Sequence, residues 1–152
     1  MSLFDKFKKG VLAGRDELAN QVARFKNKKF LDCTIAICVG TSMANGSVGS
    51  EEKQKTLGFI QSSPELKVFD VSDVIKIFNE LVANYAFDPE VGKGEVMKRI
   101  LLLKDSPEAL QLAIRVGIAV GKSDGEFEAA EQEFLRSVCS AVNIKPTDVG
   151  LQ

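Results

Sequence analysis

The chain has 152 residues, 45% of them apolar and 27% charged, which is enough to bury one core and too balanced for a fibrous or disordered protein. A net charge of -1 and the absence of His and Trp argue against nucleic acid as a partner and against an imidazole-based metal or catalytic centre. The amino terminus is charged from Asp5 onward, with no apolar export segment, so a soluble, cytoplasmic protein is expected.

Charge is unevenly placed. Residues 1–31 carry eight Lys or Arg against three Asp or Glu, and the rest of the chain twelve against eighteen. In 1–29, Leu3, Phe4, Phe7, Val11, Leu18, Val22 and Phe25 recur at helical spacing, opposite Lys6, Lys8, Lys9, Arg15, Arg24 and Lys26. Gly10 and Gly14 weaken that helix by about 1 kcal/mol each. Lys26, Lys28 and Lys29 read as a basic hinge.

From Phe30 to Ala44 the residues are almost all apolar or small, including Leu31, Cys33, Ile35, Ile37, Val39 and Met43. The run is too long for an ordinary strand and too short for a bilayer crossing, so it reads as a buried helix. Asn45-Gly46-Ser47-Val48-Gly49 ends it, and Ser50 is suited to cap a helix reaching about Gln61. A further helix is expected over Val71 to Ala83, burying Val74, Ile75, Phe78, Leu81 and Val82. Asp88-Pro89 supplies a cap and a first-turn proline for the next, carrying Val91, Val96, Met97, Ile100, Leu101 and Leu103. Ser106-Pro107 repeats the device for a helix running through Val120 and broken by Ser123-Asp124-Gly125. The last helix, about Ala129 to Val142, buries Phe134, Leu135, Val138 and Cys139, with Pro146 as its stop and a short tail beyond.

The expected fold is all-α: about seven helices in a compact bundle forming a single domain over 1–152. Within it, 1–29 is the basic segment, 30–63 a first hairpin, 64–105 the middle helices, 106–145 a second hairpin and 146–152 the tail. Cys33, Cys38 and Cys139 stand apart in apolar contexts and read as reduced core thiols.

The two hairpins are copies in spacing. Laying Asn45 over Asp124, 79 positions later, aligns a small-residue helix, Asn/Asp-Gly, an apolar residue (Val48, Phe127) and a glutamate (Glu52, Glu131). Gly46 and Gly125 serve the turns, Val48 and Phe127 pin them to the core, and each glutamate faces back toward its turn. The second corner is the more acidic, with Asp124, Glu126, Glu128, Glu131 and Glu133. Carboxylate oxygens suit a hard cation, calcium or magnesium, with Asp124, Glu126 and Glu131 as the leading ligands. The Asp-Gly order is not that of an EF-hand, and the residue types do not favour zinc or copper. Equally, the same acids stabilise a helix start by about 0.3–1 kcal/mol each and can close a capping box.

Several segments resemble the TerB family of tellurite-resistance proteins. They are Ser2-Leu3-Phe4-Asp5-Lys6, Gly14-Arg15-Asp16-Glu17-Leu18, Phe25-Lys26-Asn27-Lys28-Lys29-Phe30, Ser50-Glu51-Glu52-Lys53-Gln54-Lys55, Glu65-Leu66-Lys67-Val68-Phe69-Asp70, Gly92-Lys93-Gly94-Glu95, and Arg115-Val116-Gly117-Ile118-Ala119-Val120 through Lys122-Ser123-Asp124-Gly125. The resemblance covers about residues 2–150. It implies an all-helical, two-hairpin fold in a bacterial stress-response system, acting beside an integral-membrane partner and other tellurium-resistance proteins, with no enzymatic activity. Carried over by residue, it points to Asp124, Gly125 and Glu131, to Gly46 and Glu52, and more weakly to Asp32. Asn45 stands where the family has aspartate, so the first corner is the diluted one.

These readings converge on a non-enzymatic binding or scaffold module in tellurite or metal stress, with an acidic face for a divalent cation or a protein partner. One alternative is a membrane-surface adaptor without a metal site. There Phe4 and Phe7 enter lipid and Lys6, Lys8 and Lys9 meet anionic headgroups at the inner-membrane surface. The other is a carboxylate-based, metal-dependent hydrolase, disfavoured because the chain has no histidine and no glycine-rich phosphate loop.

Overall fold

The computed structural model describes residues 17–23, 25, 27–44, 50–122 and 127–151, with the backbone alone at 50–52. Among them every regular element is helical. Residues 17–23 belong to α1; then come α2 (Lys28–Met43), α3 (Ser50–Ser62), α4 (Val71–Phe87), α5 (Pro89–Ile100), α6 (Pro107–Lys122) and α7 (Ala129–Ala141). Three 3-10 turns, Pro64–Leu66, Leu101–Leu103 and Pro146–Val149, complete the chain. The expected seven-helix, all-α bundle is what forms. No described helix is long and apolar enough to cross a membrane.

The fold is organised around α2. Thirteen of its sixteen residues are buried, because it is apolar on every side and is packed by α4, α5, α6 and α7 together. Its start is set by Asn27, whose Oδ1 accepts the Phe30 backbone N–H at 2.8 Å, a cap worth about 1 kcal/mol. Lys28 and Lys29 therefore lie in the first helical turn and not in a hinge. Phe30 stacks between Phe25 and Phe69, each 6.2 Å away, tying the chain before α2 to the loop before α4.

The middle helices differ from expectation at their ends. α4 continues four residues past Ala83, and the added turn buries Tyr85 against Gly92 of α5, where a β-carbon would run into the ring. Asp88 then accepts the Glu90 N–H at 2.8 Å, with Pro89 in the first turn, as its sequence suggests. Ile75 and Phe134 are half-buried, and Val91 and Leu101 are exposed, so the apolar faces of α4, α5 and α7 are narrower than expected.

At the carboxy end, α7 is terminated by Asn143 and not by Pro146. Asn143 takes the left-handed conformation (φ 59°), and Ile144 N–H returns to Cys139 O at 2.9 Å, closing the open end of the helix. Pro146 instead opens a 3-10 turn that returns the chain to α6. Ile144, Val149 and Leu151 are buried, and Arg115 donates to Asp148 O at 2.8 Å. The expected tail is part of the core.

Candidate functional site

The internal repeat is a repeat of structure. α2 and α6 are both 16 residues and α3 and α7 both 13, with the members of each pair starting 79 positions apart (107 against 28, 129 against 50). Ile60 and Cys139, paired by that offset, are both fully buried.

Contacts between α2 and α6 fix how the copies meet. A β-carbon on Gly117 would overlap Ile37 Cγ2 and lie 3.4 Å from Ile37 Cβ; one on Gly121 would lie 3.6 Å from Thr41 Cγ2. The contact thus advances along both helices together, from Ile37 beside Gly117 to Thr41 beside Gly121. The two helices run parallel and end as neighbours, at Met43 and Lys122. Gly40 extends this close approach to α7, since a β-carbon there would enter the Phe134 ring.

Past this shared end, the second hairpin is held by Phe127. It packs on the core 3.4 Å from the β-position of Gly121, its carbonyl accepts from Gln132 Nε2 at 2.9 Å, and Lys122 Nζ lies 5.7 Å from its ring centre. Glu131 is nearly buried, and its Oε1 accepts the Glu128 backbone N–H at 3.2 Å, so it faces back toward the turn as a capping-box glutamate does. Asn45, Gly46, Asp124, Gly125 and Glu126 lie outside the described residues, as do Phe4, Phe7, Lys6, Lys8, Lys9 and the side chain of Glu52. Among the described residues, no three Asp, Glu or Cys side chains come together as a metal-ligand set.

Asp32 stands elsewhere. It lies in the second turn of α2, about 16 Å along the axis from Met43 at 1.5 Å per residue. Its carboxylate meets Arg99 Nη1 at 3.2 Å and Lys28 Nζ at 3.7 Å, while Arg99 Nη2 reaches Glu80 at 3.0 Å. One arginine thereby joins α2, α4 and α5. The Arg99 bond holds the Glu80 carboxyl below its usual range, with weaker help from Lys76 and Lys28. This clamp closes one end of a pocket of about 430 Å³ lined by Lys28, Leu31, Phe69, Asp73, Lys76 and Ile77, among others. Sequence reasoning missed it, because Arg99 is 67 residues from Asp32 and no local pattern links them.

The thiols are free and buried. Burial pushes Cys33 and Cys38 up, Cys38 to about 12 with the Glu65 charge adding to the effect; the Cys33 Sγ donates weakly to Ile100 O at 3.8 Å. Such thiols are protonated and inert at neutral pH.

The family model for tellurite resistance protein TerB matches residues 32–151. A tellurium resistance protein TerB from Alcaligenes sp is 58% identical over 118 residues, covering 78% of this chain and 97% of that protein. No solved structure matches the chain. With the model spanning most of the described fold and this identity over nearly the whole relative, the chain belongs to the TerB family of tellurite-resistance proteins.

Proposed function

We propose that the chain works in tellurite resistance as a binding module whose two hairpin corners, Asn45 to Glu52 and Asp124 to Glu131, act together on one divalent cation, calcium or magnesium. The observation that supports this most directly is the parallel crossing of α2 and α6, which brings Met43 and Lys122, the ends of the two helices that precede the corner sequences, to the same end of the bundle. Asp124, Glu126 and Glu131 are the leading ligands, with Glu52 and Asn45 from the weaker copy. The capping bond of Glu131 uses one oxygen, and a carboxylate has further lone pairs to offer. The basic segment 1–29 is then the side turned toward the inner-membrane surface, an integral-membrane partner and other tellurium-resistance proteins.

The test is calorimetric titration of calcium, magnesium, manganese and zinc into the natural protein and an Asp124→Asn, Glu131→Gln double variant. Glutamine keeps an acceptor oxygen for the Glu128 N–H, so the cap is preserved while the charge is removed. Binding heat with calcium or magnesium that the variant lacks supports the reading. Unchanged curves, or no heat with any metal, would replace it with a protein-contact role for the same face.

A further inference from the structure

The groove between α2 and α4 sorts its charges by sign. Asp70 caps α4, and Asp73, Lys76, Ile77 and Glu80 follow along one stripe of that helix; α2 faces them with Lys28, Leu31 and Asp32. At the Asp70 end, neither Asp70 nor Asp73 is in an ion pair among the described residues; Asp70 accepts from Ser72, at 2.8 Å from its N–H and 2.6 Å from its hydroxyl, and from the Asp73 backbone N–H. At the other end three cations, Lys28, Lys76 and Arg99, share two carboxylates, Asp32 and Glu80. Among the described residues, one end thus carries two carboxylates outside any ion pair and the other carries one cation more than its carboxylates. Buried Leu31, Phe69 and Ile77 supply the apolar part of the same lining.

This arrangement narrows the ligand. A metal ion lacks a three-ligand set among the described residues. A simple anion meets Asp70 and Asp73, and a polyamine meets Lys28 and Lys76. A molecule with an ammonium at one end, a carboxylate at the other and an aliphatic middle satisfies both ends and the apolar lining. Along α4, the midpoint of Asp70 and Asp73 is about 7 Å from Lys76 at 1.5 Å per residue, and an extended two-residue peptide spans about 7 Å. The cavity of about 430 Å³ is in the size range of small-molecule sites.

We propose that the α2–α4 pocket binds a short zwitterionic peptide, a dipeptide with aliphatic side chains. Its ammonium sits on Asp73 and Asp70, its carboxylate on Lys76 and Lys28, and its side chains on Leu31, Phe69 and Ile77. Arg99, tied to Asp32 and Glu80, is a positioning residue that holds α4 against α2 and closes the pocket.

Leucyl-leucine is the probe, followed by calorimetry and by amide shifts in nitrogen-15 spectra, beside its N-acetylated and C-amidated forms. Asp73→Asn and Lys76→Gln alter exposed side chains and are checked for an unchanged Tm. Saturable binding is expected, with shifts centred on residues 27–32 and 69–80. Asp73→Asn weakens the free dipeptide by about tenfold but leaves the acetylated form unchanged, and Lys76→Gln does the same for the free and amidated forms. No saturation up to roughly 10 mM, shifts centred elsewhere, or equal losses for free and capped peptides would overturn the proposal. Metal titration of the acidic corners is unaffected by either variant, so the two readings fail separately.

Discussion

Replacing Gly117 by alanine adds one methyl group where α2 and α6 approach most closely. The new β-carbon overlaps Ile37 Cγ2, and Ile37 cannot yield: it is fully buried, β-branched, and restricted to nearly one side-chain rotamer in a helix. Overpacking of this kind costs about 1–3 kcal/mol, while exchanging glycine for alanine in a helix returns about 1 kcal/mol. The clash being severe, a net loss of about 1–2 kcal/mol is expected, or roughly 2–8 °C in Tm for a domain of this length. Gly58 and Gly94 are internal controls, because a β-carbon at either meets nothing within 4 Å. There the same exchange should stabilise by about 1 kcal/mol. A double-mutant cycle completes the test. Ile37→Ala removes Cγ2 at a cost of about 2–5 kcal/mol, and in that background Gly117→Ala should become stabilising. Chemical denaturation and calorimetry read the five variants against the natural protein. If Gly117→Ala raises Tm as Gly94→Ala does, or its effect is the same with and without Ile37, the close approach of Ile37 to Gly117 is wrong, and the parallel crossing of α2 and α6 falls with it.

Other expectations follow from the same packing. The Glu80 carboxyl is held below its ordinary value of 4.5 chiefly by Arg99, so the folded state binds fewer protons there than the unfolded chain. Its stabilising contribution is present above pH 4.5 and lost as pH falls through the lowered value; Glu80→Gln should therefore flatten the fall of Tm with acid across that window, and an unchanged slope would count against the clamp. The three thiols should resist a thiol-reactive dye at pH 8 in the folded protein and all react in denaturant; labelling of Cys38 at the rate of free cysteine would contradict its burial. Deleting the residues after Lys145 removes two buried side chains, Val149 and Leu151, and the bond from Arg115, and should cost about 3–5 kcal/mol in denaturant unfolding; a loss under about 1 kcal/mol would make this segment the loose tail that its sequence suggests.

What could be read from the sequence was set by local chemistry. Asp88-Pro89 and the buried run of α2 are written in consecutive residues, and the hairpin repeat is written in spacing, so helix class and the order of elements follow directly. The misread ends depended on distant contacts. α4 runs on to Phe87 because Tyr85 finds its place against Gly92 of the next helix, and Pro146 turns inward because Val149 and Leu151 reach the core. Asp32 was joined to the corner acids only through the family resemblance; its ion pair with Arg99, which in turn holds Glu80, links helices that no periodicity connects to it. Of the second corner's acids, Glu131 turns back on the Glu128 N–H, as the spacing implied.

The burial of α2 on all sides also has a temporal consequence. One wall of its enclosure, α6, lies 79 positions later in the chain, and another, α7, later still. During synthesis the ribosome must therefore release Pro107–Lys122 before Lys28–Met43 can be enclosed, leaving a nascent apolar segment open for most of translation. The most thoroughly buried of the described helices is thus the first major one made and among the last to be sheltered, which marks it as the segment on which chaperones and aggregation compete.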